Sequence, residues 1–133
     1  SVAIGFQDSR SIVIYKNVYQ NVVLFQTISM AHSMQPNSLA YLNESSFVSG
    51  SKDRDIKIWS IVNGQYQQIE IRGFHSHYVI SVEVLDDGRI LSGDDYGYVK
   101  IHANSSKSIT LFQDSSAESL VRLNIHQVVM GFG

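Results

Sequence analysis

Short runs in which apolar and polar residues alternate recur along the whole chain. Examples are IKIW at residues 56–59, SVEVL at 81–85, YVKIH at 98–102 and SLVRL at 119–123. Alternation places the apolar side chains on one face of an extended strand, and helical 3.6-residue periodicity is hard to find. Turn-forming residues separate the runs, at Asn63-Gly64, 86–88, 94–97 and Asn104-Ser105. The pattern therefore predicts an all-β fold, with a sandwich, a barrel or a propeller as its architecture.

An internal repeat distinguishes these architectures. Similar segments start at residues 3 (AIGFQDSRSIVIY), 48 (VSGSKDRDIKIW), 91 (LSGDDYGYVKIH) and 129 (VMGFG), and their first glycines are 45, 43 and 38 residues apart. A second spacing agrees, because His32 and His75 each precede the next of these glycines by 18 residues. A repeat of about 40–45 residues is typical of a propeller, in which each four-stranded blade is one unit. Aligned on Gly5, the first segment needs a one-residue insertion to bring Tyr15 to the position of Trp59.

Two consecutive segments carry a resemblance to a known family. AHSMQPNSLAYLNESSFVSGSKDRDIKIWS and FHSHYVISVEVLDDGRILSGDDYGYVKIHA resemble WD repeats, whose pattern opens with Gly-His and closes with Trp-Asp. Here Ala-His and Phe-His replace the opening, and Trp59-Ser60, Tyr15-Lys16 and His102-Ala103 replace the close. The resemblance implies an all-β WD-repeat β-propeller of roughly three blades. Its parts would be a partial blade (1–30), a blade with a complete hydrogen-bond network (31–73), a divergent blade (74–113) and the start of a further blade (114–133).

The repeat frame also gives a strand map. Inner strands are expected at 37–42, 79–85 and 118–124, second strands at 1–6, 46–51, 89–94 and 128–132, third strands at 11–16, 55–60 and 98–103, and outer strands at 22–28, 66–72 and 108–112. A closed propeller has four to eight blades, which at this period requires more than 133 residues. The chain is therefore expected to be part of a larger propeller, completed by further blades or by another copy of the chain.

One constellation invites a catalytic interpretation. In WD repeats a His, a Ser, an Asp and a Trp form a structural network, and the matching positions are His32, Ser49, Asp53 and Trp59. A Ser, a His and an Asp could instead form a catalytic triad. The sequence shows no exposed elbow for the serine and no evident oxyanion hole, so no catalytic residue is predicted.

The following repeat departs from this set. It keeps His75 and Ser92, but Tyr96 stands at the position of the Asp and His102 at that of the Trp. We therefore expect that this second network cannot form in the usual way.

Metal, cofactor, nucleic-acid and membrane binding are not predicted. His75-Ser76-His77 resembles half of a metal site but has no third ligand at a recognisable spacing. Residues 86–97 lack the central Gly and final Glu of a calcium loop. The net charge is −2 with the basic residues scattered, and no apolar run approaches the ~18 residues of a membrane span. There are no cysteines and no recognisable signal peptide, which favours an intracellular location.

Function is expected in the loops at one rim of the blades. By resemblance these are residues 8–11, 30–35, 52–55, 73–78 and 94–98. The predicted partner-binding residues there are Arg10, Met34, Lys52, Arg54, His77, Tyr78, Asp95 and Tyr96, whereas Phe74 is expected to pack between blades. The predicted function is a non-catalytic scaffold that binds a protein or peptide partner. A peptide or ubiquitin recognition module of an adaptor is the alternative, and a hydrolase is more remote.

Overall fold

The computed structural model describes residues 2–6 and 10–113, and regular structure in this part of the chain consists of β-strands alone. The strands are β1 (Val2–Phe6), β2 (Ile12–Val18), β3 (Asn21–Ile28), β4 (Pro36–Asn43), β5 (Ser46–Ser51), β6 (Asp55–Val62), β7 (Gln65–Phe74), β8 (Val79–Val84), β9 (Ile90–Asp94), β10 (Tyr98–Asn104) and β11 (Lys107–Gln113). The predicted strands at 118–124 and 128–132 lie outside the described residues.

The strands form three antiparallel sheets in which chain neighbours are also spatial neighbours. The first sheet has the order β1-β2-β3, the second β4-β5-β6-β7 and the third β8-β9-β10-β11. Short turns suffice for such connections, as at Asn63-Gly64, where both residues have positive φ angles of 52° and 83°. The all-β prediction is thereby confirmed, and sheets of three or four antiparallel strands are consistent with WD-repeat blades.

The second sheet is buried on both of its faces because its strands carry apolar residues at odd and even positions. Phe47, Trp59 and Tyr66 share a core cluster with Ile12 and Ile14 of the first sheet. The side chains that alternate with Phe47 and Trp59 point to the other face and pack against the third sheet. This second cluster contains Val48, Ile56 and Ile58 of the second sheet and Val79, Val82 and Ile90 of the third. Alternation along each strand thus supplies one core cluster on each side of the second sheet.

Strand register corrects the alignment of the first repeat. Gly50 pairs with Ile56 and Gly93 with Val99, and the residue that pairs in the same way with Ile12 is Phe6. Phe6, not Gly5, therefore occupies the glycine position, and Tyr15 follows it by the same nine residues that separate Trp59 from Gly50. The predicted one-residue insertion is wrong, because Gly5 takes the place of Ser49 instead.

The same register identifies an uncovered face on the first sheet. Tyr15 is equivalent to Trp59, and Val22 is equivalent to Tyr66 because Asn17 pairs with Val22 as Ile61 pairs with Tyr66. Trp59 and Tyr66 are each 4% exposed, whereas Tyr15 and Val22 are 39% and 70% exposed. On the second sheet, the face that carries Trp59 and Tyr66 is covered by the first sheet. The equivalent face of the first sheet, which carries Tyr15 and Val22, is exposed.

Candidate functional site

A chain of buried hydrogen bonds holds one end of the second sheet. Trp59 Nε1 lies 2.9 Å from the Ser49 hydroxyl, and that hydroxyl lies 2.6 Å from His32 Nε2. His32 Nδ1 lies 2.8 Å from a carboxylate oxygen of Asp53. An indole N–H can only donate, so Ser49 accepts from Trp59 and donates to His32, which leaves the His32 Nδ1–H to donate to Asp53. The chain connects the loop before β4 to β5, to the turn at 52–55 and to β6.

Asp53 completes this chain by fixing the turn around it. Its Oδ1 accepts a hydrogen bond from the Asp55 backbone N–H, and its Oδ2 also accepts one from the Ser33 N–H. Burial alone would raise the pKa of the Asp53 carboxyl, but the hydrogen bonds from His32, Asp55 and Ser33 bring the pKa below its usual value. Asp53 is thus held as a carboxylate, and the geometry of the turn is set from within.

The connectivity Ser49–His32–Asp53 is that of a catalytic triad, but its setting does not suit catalysis. Ser49 and His32 are both 0% exposed, and the serine hydroxyl also accepts the Trp59 indole N–H. A nucleophilic serine must reach a substrate carbonyl, and this one is enclosed by the protein. The arrangement can satisfy buried polar groups and join four segments of one sheet.

The third sheet contains a closely related chain, which does form but uses residues other than the usual acid and tryptophan. His75 Nδ1 lies 2.8 Å from a carboxylate oxygen of Asp94, and His75 Nε2 lies 2.7 Å from the Ser92 hydroxyl. Asp94 supplies the acid in place of Tyr96. Its other oxygen accepts the backbone N–H groups of Tyr96 and Tyr98, so one carboxylate fixes the whole turn.

His102 replaces the tryptophan of this second chain. Its Nε2 lies 2.7 Å from the Ser92 hydroxyl, and the ring is 1% exposed. Since Ser92 has one proton and gives it to His75, His102 Nε2–H is the donor to Ser92, as the indole N–H of Trp59 is to Ser49. Nδ1 of His102 is then an acceptor, and it has no hydrogen-bond partner in the described part of the chain. Burial, with the charges of Lys100 and Arg72, lowers the pKa of His102 to about 4.

The loops and turns above these chains lie together and are tied to one another by backbone hydrogen bonds. The Lys52 N–H donates to the Gln35 carbonyl and the Asp95 N–H to the Tyr78 carbonyl, at 2.9 and 3.0 Å. The His75 N–H donates to the Arg54 carbonyl at 2.9 Å, which links the second sheet to the third. We call this surface, residues 30–35, 52–55, 73–78 and 94–98, the rim.

The structure places most of the predicted partner-binding side chains on the surface of the rim. Met34, Arg54, Tyr78, Asp95 and Tyr96 are exposed, and Lys52 and His77 are half-buried. Arg10, also exposed, has its Nη1 3.9 Å from the Met30 sulfur. Phe74 was expected to pack between blades and does not, because at 66% exposure its ring projects from the end of β7.

Three aromatic side chains of the rim stack in near-parallel planes. The rings of His77 and Tyr96 are 4.2 Å apart at an angle of 8°, and the Tyr98 ring lies 6.2 Å from His77. Beside them is a cleft of about 230 Å³ that is lined by Ser76, His77, Asp94, Tyr98, Lys100 and Thr110. Sequence reasoning missed Tyr98 and Lys100, although their alternate positions on β10 place them on one face and could have indicated them.

Comparison with known proteins finds a family model that matches one segment of the chain. The family model described as WD domain, G-beta repeat matches residues 24–60. Residues 24–60 resemble a WD repeat. The match contains His32, Ser49, Asp53 and Trp59, so the predicted resemblance to WD repeats is confirmed for this segment. WD repeats generally mediate protein–protein interactions and are generally non-catalytic. A search of curated proteins found no match.

Two further features bear on function. Among the described residues, no group of three or more His, Asp or Glu side chains is placed to hold a metal ion. Nor does that part of the chain contain a helix of the length and apolar character that would cross a membrane.

Proposed function

We propose that this chain is a non-catalytic scaffold that binds a protein or peptide partner through the rim. The observation that carries the proposal is the set of large side chains displayed there. Phe74, Tyr78, Tyr96 and Met34 are 66%, 39%, 54% and 43% exposed and stand on adjacent, mutually hydrogen-bonded loops. Aromatic and Met side chains are enriched at protein interfaces, and Tyr is among the residues that most often supply the binding energy there.

The buried chains beneath the rim support the same proposal. The carboxylates of Asp53 and Asp94 each fix a turn whose outward side chains belong to the rim. A rim that is ordered before it binds loses little conformational entropy on association. The stacking of Tyr96 on His77 restricts these two side chains further.

The proposal is tested with the full 133-residue chain as bait in a cell lysate. We expect a protein that binds the parent to be lost from the double variant Tyr78→Ala/Tyr96→Ala. Tyr19→Ala is the matched control, because Tyr19 is 94% exposed in the β2–β3 turn and is not part of the rim. Capture by the double variant that equals capture by the parent would show that the rim is not the binding surface.

We also propose that the open face of the first sheet packs on another sheet of the same kind. Tyr15, Val22 and Leu24 lie on this face, and the equivalence of Tyr15 and Val22 to the buried Trp59 and Tyr66 of the second sheet supports the assignment. In the isolated chain the other sheet would come from a second copy. Sedimentation should show self-association that Val22→Asp weakens and Tyr19→Asp does not. A mass that does not change with Val22→Asp would contradict this proposal.

A further inference from the structure

Arg54 adopts a backbone conformation that favours glycine. Its φ is +79°, and the residue at the same position of the equivalent turn in the third sheet is Gly97, with φ +94°. The two turns are closed by equivalent backbone hydrogen bonds. The Arg54 N–H donates to the Ser51 carbonyl at 3.0 Å, and the Gly97 N–H donates to the Asp94 carbonyl at 3.3 Å. A side chain at such a position costs about 1 kcal/mol relative to glycine.

The structural role of this position does not need the arginine side chain. The Arg54 carbonyl accepts the His75 N–H, and a glycine carbonyl would accept it equally well. The side chain itself is exposed, and its guanidinium has no hydrogen-bond or ion-pair partner among the described residues. A strained residue whose side chain stabilises nothing in its own fold points to a role outside that fold.

The surroundings of Arg54 indicate what its side chain binds. Lys52 lies in the same turn, and no carboxylate is within ion-pair distance of it in the described part of the chain; its Nζ lies 6.0 Å from the Tyr78 ring. Asp53, between the two cations, is committed to His32 and to backbone N–H groups. Asp55, the other acid of the turn, is half-buried and makes no ion pair with Arg54 or Lys52. The exposed Asp95 lies on the neighbouring turn. The turn thus offers two cations that form no ion pair with a described residue, on a chain whose net charge is −2.

We infer that Arg54 and Lys52 form a binding site for an anionic group, a carboxylate or a phosphate, on the partner. This inference rests on the proposed scaffold function and specifies the chemistry of the partner. A guanidinium presents a planar fork of N–H donors that matches both anions, and Lys52 adds a second positive charge beside it. The Tyr78 ring next to Lys52 offers an apolar contact to the residue that follows the anionic group.

The experiment uses Arg54→Gly, which installs the residue of the equivalent turn. Its melting temperature should equal or exceed that of the parent, because the backbone strain is relieved. A ¹H–¹⁵N NMR titration of the full chain then follows the amides of residues 52–55 with three probes: inorganic phosphate, acetyl-Glu₃-amide and acetyl-Ser₃-amide. We expect saturable shifts with one or both anionic probes, at least tenfold weaker in Arg54→Gly, and none with the serine peptide. The two anionic probes distinguish phosphate from carboxylate recognition.

A control and two contrary outcomes complete the design. Arg89→Gln removes the same charge from a residue that pairs with Asp87, so it should titrate like the parent. Equal shifts in the parent and Arg54→Gly would overturn the anion site, as would a lower melting temperature of Arg54→Gly, which would give the side chain a structural role. Partner capture that depends on Tyr78 and Tyr96 but not on Arg54 would leave the scaffold proposal standing and refute this inference alone.

Discussion

The hydrogen bond between His102 and Ser92 in the third sheet is equivalent to the one between Trp59 and Ser49 in the second sheet. His102 Nε2 lies 2.7 Å from the Ser92 hydroxyl, and Trp59 Nε1 lies 2.9 Å from that of Ser49. In both sheets a ring N–H donates to a buried serine. An imidazole, unlike an indole, can take up a proton, so this substitution gives the third sheet a titratable group at a position where the second sheet has none.

The first prediction concerns this titratable group. The pKa of His102 is lowered from its usual value of 6.5 to about 4 in the folded chain, so the unfolded chain binds more protons between these two values. Protonation of His102 should therefore leave the free energy of unfolding unchanged above pH 6.5. As the pH drops from 6.5 towards 4, the free energy of unfolding should fall by up to about 3 kcal/mol because of this group. Urea unfolding at intervals from pH 7 to pH 4 measures the slope.

One variant isolates the contribution of His102. His102→Gln keeps a donor for Ser92 but removes the buried ring, so it should be less stable than the parent at pH 7. Because glutamine does not titrate, the free energy of unfolding should also depend less steeply on pH. Identical slopes for the parent and His102→Gln would contradict the assignment of a buried, neutral His102.

The second prediction concerns the acid of the third sheet. Asp94→Asn should lower the free energy of unfolding at pH 7 by about 2–3 kcal/mol, because the charge-assisted bond to His75 is lost inside the protein. Asp95→Asn alters the adjacent, exposed carboxyl and should change stability by less than about 0.5 kcal/mol. Chemical denaturation of the three proteins compares them. If Asp95→Asn were as damaging as Asp94→Asn, the assignment of the acid would be wrong.

Asp94 also shows why the repeat pattern predicts the site only in part. The spacing of His32, Ser49 and Trp59 recurs in the next repeat, so sequence comparison finds the serine and histidine positions directly. The acid escaped it because Asp94 is two positions before the residue that aligns with Asp53. Both positions lie in the same turn, and a carboxylate from either one can reach the histidine, so position in the repeat does not determine which residue bonds.

Alignment of the first repeat on Gly5 was wrong because a glycine in the sequence does not by itself mark the glycine position of the repeat. Gly50 is required because a Cβ there would lie 2.5 Å from a side-chain carbon of Val79. Around Gly5, chain neighbours apart, no described residue has an atom within 4 Å of the corresponding point, so packing does not require a glycine there and Gly5 is a poor anchor for alignment. Strand pairing, which is not visible in the sequence, places Phe6 at the equivalent position.

The third prediction concerns the contact of the third sheet with the second. A Cβ on Gly73 would lie 2.3 Å from Nδ1 of His102, a rigid ring that is 1% exposed. Gly73→Ala should therefore destabilise the chain by about 1–3 kcal/mol, because the ring or β7 must shift. Gly5→Ala is the matched control and should be near neutral. Thermal unfolding distinguishes the two, and equal melting temperatures would show that the sheets are not packed closely at Gly73.

The fourth prediction compares Ser49, a member of the hydrogen-bond chain of the second sheet, with Ser33, which lies beside that chain. Ser49→Ala leaves the indole N–H of Trp59 and Nε2 of His32 without their partner in a site that is fully buried. Each unsatisfied group costs about 1–3 kcal/mol, so Ser49→Ala should lower the free energy of unfolding by about 2–4 kcal/mol. Ser33→Ala is the control, since Ser33 is exposed and its backbone N–H, which is retained, makes the bond to Asp53. Urea unfolding at pH 7 should separate the variants by at least about 1.5 kcal/mol. A smaller difference would mean that water or a rearranged His32 satisfies the freed groups, and that Ser49 does not join the strands as the geometry indicates.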